Sequence, residues 1–330
     1  MLKYLLRRLL YMLLTVVLLS IVSFMIINLP AGDYINSIAV KLNQSGRQVD
    51  QTMLNNLRHQ FGLDQPLYIQ YLRWAGNVLQ GNLGWSYEFH APVTELIGER
   101  VQLTAAISLI TLLITYLLAI PIGIYSSTHQ YTPGDYFFMF LSFIGMATPG
   151  FLLALILMVI FLRAGMSTIG LFSAQYIQAP WSFLRFVDLL KHLPIPVLLI
   201  GVCGTAGLIR IMRAQLLDEL GKQYVVTARA KGVSEVKLLF KYPVRVALNP
   251  IVSTIGWALP YIVGGGVIVE LVLNLPTVGP MFYKALISQD IFLSSSLLLI
   301  LSSLTVIGTL ISDILLVVVD PRIRFTSREA

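Results

Sequence analysis

Residues 213–232 read Arg213-Ala-Gln-Leu-Leu-Asp-Glu-Leu-Gly-Lys-Gln-Tyr-Val-Val-Thr-Ala-Arg-Ala-Lys-Gly232. Leu216, Leu217, Leu220 and Tyr224 recur at three-to-four-residue spacing, which predicts a helix leaving an apolar run with one apolar stripe. Gly221 weakens that helix midway, and Gly232 is a natural C-terminal cap because glycine enters the left-handed region without penalty. Ser234 can then N-cap a second helix holding Val236, Leu239 and Phe240. The pattern predicts a helix–turn–helix of small and basic residues. Ala228, Ala230 and Gly232 keep the turn slim enough to enter a groove on a partner, with the basic residues meeting an acidic rim. On the local pattern alone, an ordinary loop whose charges only set topology is the alternative.

Outward from this stretch the chain is unusually apolar: 56% of its 330 residues are hydrophobic and 12% charged. Soluble domains carry roughly 25% charged residues. A helix needs ~20 apolar residues to cross the ~30 Å hydrocarbon core. Six segments qualify, at about 9–29, 101–127, 135–162, 194–214, 252–274 and 297–319. The first follows Lys3, Arg7 and Arg8, but at 21 residues it exceeds a signal-peptide core and no small-x-small site follows, so it reads as a retained helix. The expected class is an all-α membrane protein of about six spans.

The basic residues orient it. Three lie at the N-terminus (Lys3, Arg7, Arg8) and eight between spans four and five (Arg210, Arg213, Lys222, Arg229, Lys231, Lys237, Lys241, Arg245). Three more close the chain (Arg322, Arg324, Arg328), so one side holds 14 of the 23 lysines and arginines. Five of the other nine sit in a long first loop, where they count for little, so both termini are expected in the cytoplasm. This distribution accounts for the net charge of +7 without nucleic acid. Two regions are expected: 1–100, the first span with a long extracytoplasmic loop, and 101–330, a five-helix core with its cytoplasmic loop at about 215–250. The other outer loops are 163–193 and 275–296. In the first loop an amphipathic stretch, Val49 to Phe61, ends at Gly62 and Asp64-Gln65-Pro66. Trp74, Trp85 and Trp181 fit an aromatic belt at headgroup level.

Chemistry-bearing patterns are sparse. His59, His90, His129 and His192 are scattered outside the spans with no metal-ligand spacing, and no His-Glu-x-x-His occurs. An intramembrane serine protease would need a Ser–His pair at membrane depth. Cys203, the one cysteine, reads as a small hydrophobe in an apolar run. A secondary transporter is the alternative transport class, but it would call for internal symmetry and a midplane carboxylate, of which little is visible.

Further marks accompany the quoted stretch. They are Tyr4-Leu-Leu-Arg-Arg8, Gly62-Leu-Asp-Gln-Pro-Leu67 with Gln70-Tyr71, and Gly81-Asn-Leu-Gly84 with Ser86. Thr148-Pro149 and Phe151, Leu193-Pro194, and Asp320-Pro-Arg-Ile-Arg324 complete the set. In this order, and with Leu216-Leu217-Asp218, Tyr224-Val225 and Thr227-Ala228-Arg229-Ala230-Lys231-Gly232, the chain resembles the ABC-importer permeases of the oligopeptide/dipeptide/nickel class. The resemblance implies a type I importer permease fold in the bacterial or archaeal cytoplasmic membrane. It further implies that Tyr224 to Gly232 form the EAA coupling turn, seated on a separate ATPase subunit, with Val226 where the family has glutamate. Implied partners are a paralogous permease, two ATP-binding subunits that hold ATP and Mg, and an extracytoplasmic solute-binding protein; no cofactor is expected in this chain. Tyr34 after Gly32-Asp33 and Pro276-Thr277-Val278-Gly279 are variants similar to the oligosaccharide-importing branch, so oligopeptides and oligosaccharides are both expected solutes.

Within the expected spans, Glu270 and Asp313 are ionisable. A central charge costs at least ~2.5 kcal/mol on insertion scales, so each needs a partner or water. Glu270 is expected to reach the outer headgroups and Asp313 to pair with Arg210 or Arg213; lining the pathway or bridging helices is the alternative. Gly264-Gly265-Gly266 after Pro260, and Pro149-Gly150, weaken spans five and three, so Pro149, Gly264 and Glu270 are the candidate pathway residues.

Overall fold

A computed structural model describes residues 2–29, 32–44, 51–163, 170–256, 258 and 266–319. Among them, Arg8–Ile27, Val93–Thr128, Pro194–Leu220 and Ile291–Leu315 are each long and apolar enough to cross a membrane. The expected third span is not one straight helix. It is a pair, Pro133–Ala147 and Gly150–Arg163, bent by 100° at Thr148-Pro149. Span five cannot be followed from end to end, since 257 and 259–265 fall outside the described residues.

The chain forms two compact units, Met1–Thr104 with Pro276–Val306, and Ala105–Leu275 with Ile307–Ala330. The first begins with α1 (Leu2–Ile27), α2 (Tyr34–Gln44), α3 (Gln51–Phe61) and α4 (Leu67–Leu79), then a two-residue ladder of β1 (Trp85–Ser86) and β2 (Ala91–Pro92). It is completed by the start of α5 (Val93–Thr128), by α14 (Val278–Ile287) and by the start of α15 (Ile291–Val319). The long first loop is therefore largely helical. Its α4 buries Trp74, which packs on Phe24 of α1 at 5.5 Å between ring centroids and donates its indole N–H to Ser296 Oγ at 3.4 Å. Trp74 is thus a core residue and not part of a headgroup belt; Trp85 is half-exposed. Ser20 and Tyr71 join α1 to α4 by a hydroxyl pair at 2.9 Å.

Asp290, wholly buried between α14 and α15, ties this unit together. Its Oδ2 accepts the Ser86 hydroxyl at 2.6 Å and the Glu88 N–H at 3.0 Å, and its Oδ1 accepts the Leu293 N–H at 3.3 Å. Burial nevertheless pushes its carboxyl above the usual range, outweighing those donors. Asp290→Ala strands the Ser86 and Glu88 donors, each costing about 1–3 kcal/mol. Asp290→Asn, neutral and still an acceptor, should cost less. Because the folded-state value is raised, the linked stability is complete below the ordinary 3.8 and is lost as pH rises through the folded value. Thermal unfolding of the solubilised protein should show this loss as a pH-dependent difference between the wild type and Asp290→Asn, the wild type losing stability relative to the variant as pH rises.

The second unit holds the rest of α5, α6 (Pro133–Ala147), α7 (Gly150–Arg163), α8 (Phe183–His192), α9 (Pro194–Leu220), α10 (Gln223–Ala230), α11 (Glu235–Lys241), α12 (Pro243–Ser253), α13 (Val267–Val272) and the end of α15. Its core gathers on α9, where Leu208, Met212 and Leu216 pack with Ala119, Val244, Ala247 and Ile251. Gly123 lets α5 lie close against α9: a Cβ there would stand 2.6 Å from Met212 Cβ and 3.1 Å from the Ile209 carbonyl oxygen. Small residues commonly serve such close helix approach in membranes.

Two contacts of α9 revise the sequence reading. Arg213 is engaged by Asp135: its Nε and Nη2 meet the two carboxylate oxygens, both at 2.9 Å, at the first turn of α6. Arg210 lies over the Phe143 ring, 5.1 Å from its centroid. Cys203 is more than a small hydrophobe. Proline at 149 has no N–H for the Gly145 carbonyl four residues earlier. The Cys203 thiol donates to that carbonyl instead, at 3.2 Å.

Candidate functional site

The stretch at 213–232 forms an elbow. α9 ends outright at Leu220, with Gly221 as its C-cap, so the glycine terminates the helix rather than weakening its middle. α10 then carries Tyr224 to Ala230. Gly232 follows at φ +76°, and its N–H donates to the Arg229 carbonyl at 3.0 Å while the Val233 N–H donates to Ala228 at 3.3 Å. This pair of bonds is the Schellman motif, and the contact of Val233 with Ala228 is its usual apolar companion. A Cβ on Gly232 would meet open space, so its positive φ, not crowding, is what favours glycine there. Ser234 occupies the N-cap of α11, as expected, without a capping bond from its side chain.

The elbow has its own small core of Val225, Ala228 and Leu238, with Val233 and Tyr242 packed against it. Ala228 therefore faces inward, at 9% exposure, and does not itself present a surface. Exposed on the outside are Val226, Thr227, Arg229, Ala230, Lys231 and Gly232. Arg229 grips Glu235 across the turn, Nε to Oε1 at 2.7 Å and Nη2 to Oε2 at 3.1 Å, and holds the Glu235 carboxyl below its usual range. In water such a pair orients more than it stabilises. Burial, and then a hydrogen bond to Glu219, lift the Tyr224 hydroxyl above the usual phenol range. The sequence pattern placed Val236 and Phe240 on the second helix without giving them a role in docking; they are 71% and 57% exposed on α11. The signal was present: both fall on the face away from buried Leu238. Exposed apolar side chains beside Lys231, Lys237 and Arg229 suit a docking face with a basic rim. Nothing in the elbow offers nucleophilic or acid–base chemistry.

The pathway candidates are dispersed. Pro149 sits at the bend between α6 and α7, and Gly150 lies against Val269 of α13. Glu270, the next residue on α13, is 2% exposed, so it is enclosed by the unit instead of reaching outward to headgroups. Gly264 lies outside the described residues.

Apolar spans long enough to cross a bilayer and a basic elbow after α9 define a membrane protein. Residues 119–325 match the binding-protein-dependent transport system inner membrane component, and residues 1–110 match the N-terminal membrane component of the same systems. The chain belongs to that family; it is a multi-pass permease subunit of the bacterial cytoplasmic membrane and not an enzyme. It is 33% identical to the oligopeptide transport system permease protein AppB of Bacillus subtilis over 98% of this chain and 99% of that protein. A putative peptide permease of Brucella ovis is 34% identical over 99% of this chain and all of its own length. The glutathione transport system permease protein GsiC of Salmonella paratyphi A is 30% identical, over 98% and 100% respectively.

Proposed function

We propose that the chain conducts short peptides inward as one half of a two-permease channel, driven by ATPase subunits that grip the elbow from Tyr224 to Phe240. A solute-binding protein delivers the peptide to the outer face, and a paralogous permease supplies the other half. The ATPase subunits hold ATP and Mg. Closure of their dimer moves the elbow, and the spans alternate between outward- and inward-open states by differential contacts in the two states. The observation that carries this reading is the apolar, basic-rimmed outer face of the elbow, Val226, Val236 and Phe240 with Arg229 and Lys231. Names of relatives that carry peptides favour peptides over oligosaccharides as the solute.

Reconstitution into liposomes tests it. The complete set of subunits should take up a labelled oligopeptide only with ATP and the binding protein, and should leave a labelled oligosaccharide outside. Uptake driven by an ion gradient without the ATPase subunits would overturn the mechanism. Uptake of the oligosaccharide alone would overturn the solute assignment.

A further inference from the structure

The outer segment leading into α9 is built inside out. On α8, helical geometry at ~100° per residue puts Arg185, Asp188 and His192 on one face and Phe183, Leu184, Phe186, Val187 and Leu190 on the other. In a water-soluble amphipathic helix the charged face would look outward. Here Arg185 and Asp188 are 4% and 8% exposed, while Phe183 and Leu184 are 78% and 63% exposed.

The inward charges are well housed. The Arg185 guanidinium lies 4.6 Å from the ring centroids of both Phe172 and Trp181, and its Nη2 donates to the Ile177 carbonyl at 3.4 Å. The Asp188 carboxylate accepts the Ser173 N–H and hydroxyl, both at 2.7 Å. His192 Nδ1 is 2.8 Å from the Asp188 carbonyl oxygen. Ser182 caps the helix by accepting the Arg185 N–H at 3.2 Å. The segment is anchored to its unit by the Gly170 N–H, which donates to the Leu273 carbonyl at 2.7 Å. The apolar face is thus held outward by the inward-facing Arg185, Asp188 and His192.

We propose that α8 is an interfacial helix, its Phe183, Leu184, Phe186 and Leu190 face sunk into the outer leaflet at the boundary of headgroups and acyl chains. Three observations select lipid as the occupant. Only Leu193 separates α8 from the membrane-crossing α9, which fixes α8 at the depth where that span enters the bilayer. The face carries no charge except Lys191 at its edge, whereas a protein interface has a polar rim. Trp181, half-exposed beside it, is the residue type that settles at headgroup level, and a long lysine stem reaches from such a face back to water. An apolar face of this kind buries ~5–10 Å into the headgroup zone.

Spin labels test this in the complete transporter, reconstituted in nanodiscs of phosphatidylethanolamine and phosphatidylglycerol. Single cysteines replace Phe183, Phe186 or Leu190 in a Cys203→Ser background, which keeps a donor for Gly145. A fourth label at Gln178, an exposed residue upstream of α8, is the aqueous control. Labels on α8 should relax with oxygen and lose relaxation by a water-soluble nickel chelate, while Gln178 shows the reverse. Nickel access to α8 equal to that at Gln178 would overturn the proposal, because the face would then be open to water and to a binding protein. Labels shielded from both reagents would also overturn it, because protein and not lipid would cover the face.

Discussion

Ala228→Glu should abolish ATP-driven uptake and expose residues 222–242 to protease, while the protein still inserts in the membrane. Ala228 sits at 9% exposure against Val225 and Leu238, both wholly buried, and its carbonyl accepts the Val233 N–H. A glutamate there would either hold an unpaired carboxylate among apolar side chains, at several kcal/mol, or break the elbow open. The elbow's buried core is only three residues, so it has little stability to spare. Val226→Arg is the companion variant, introducing a charge that the family's glutamate at this position does not supply. Val226 is 49% exposed, so the charge meets water, the elbow stays protease-resistant, and only docking of the ATPase should fail. Co-purification of the ATPase subunits and limited proteolysis separate the two effects. Normal uptake by Val226→Arg would remove the α10 outer face from the docking site.

The second large effect is asymmetric. Arg213→Ala should lower the thermal stability of the solubilised protein more than Asp135→Ala does. The two side chains share a bidentate pair, but Asp135 is 3% exposed and Arg213 is 23% exposed. Removing one partner of a buried pair costs about 3–5 kcal/mol, because the other charge is left without compensation. Stranded Asp135 keeps the Tyr131 N–H as a donor and is 3% exposed, whereas stranded Arg213 can extend its stem towards water. Asp135→Ala therefore belongs at or below the low end of that range. Equal destabilisation of the two variants, read as shifts in unfolding temperature, would show that the environment of the pair is uniform.

Local physics made much of this legible in advance. Hydrophobic length found the four long spans, and the glycine at 232 found the turn, because a left-handed residue after a helix has few alternatives. The Schellman geometry needs only neighbours within six residues. Long-range pairings left no comparable trace. Arg213 could have met any acidic residue near its end of the bilayer, and nothing local singles out Asp135, 78 positions away. Trp74 was misread because residue type alone cannot tell a headgroup anchor from a core residue. The helical content of the first loop was partly hidden as well, since α4 is too apolar to look like a loop and too short to look like a span. The bend in the third span was visible as Pro149 but not its size, which depends on what Cys203 and α13 place beside it.

The thiol at that bend links two distant parts of the second unit. Proline has removed the bond that would ordinarily lock α6 into α7, and a neighbouring helix supplies the substitute. That neighbour, α9, continues without interruption to Leu220 and the elbow, 17 residues or about 26 Å beyond Cys203. Along that distance it behaves as a strut: Met212 and Leu216 key it to the surrounding helices, and Arg213 pins it to the base of α6. A push delivered at the inner surface would therefore reach the kink through a single stiff member that bonds to it from outside its own helix.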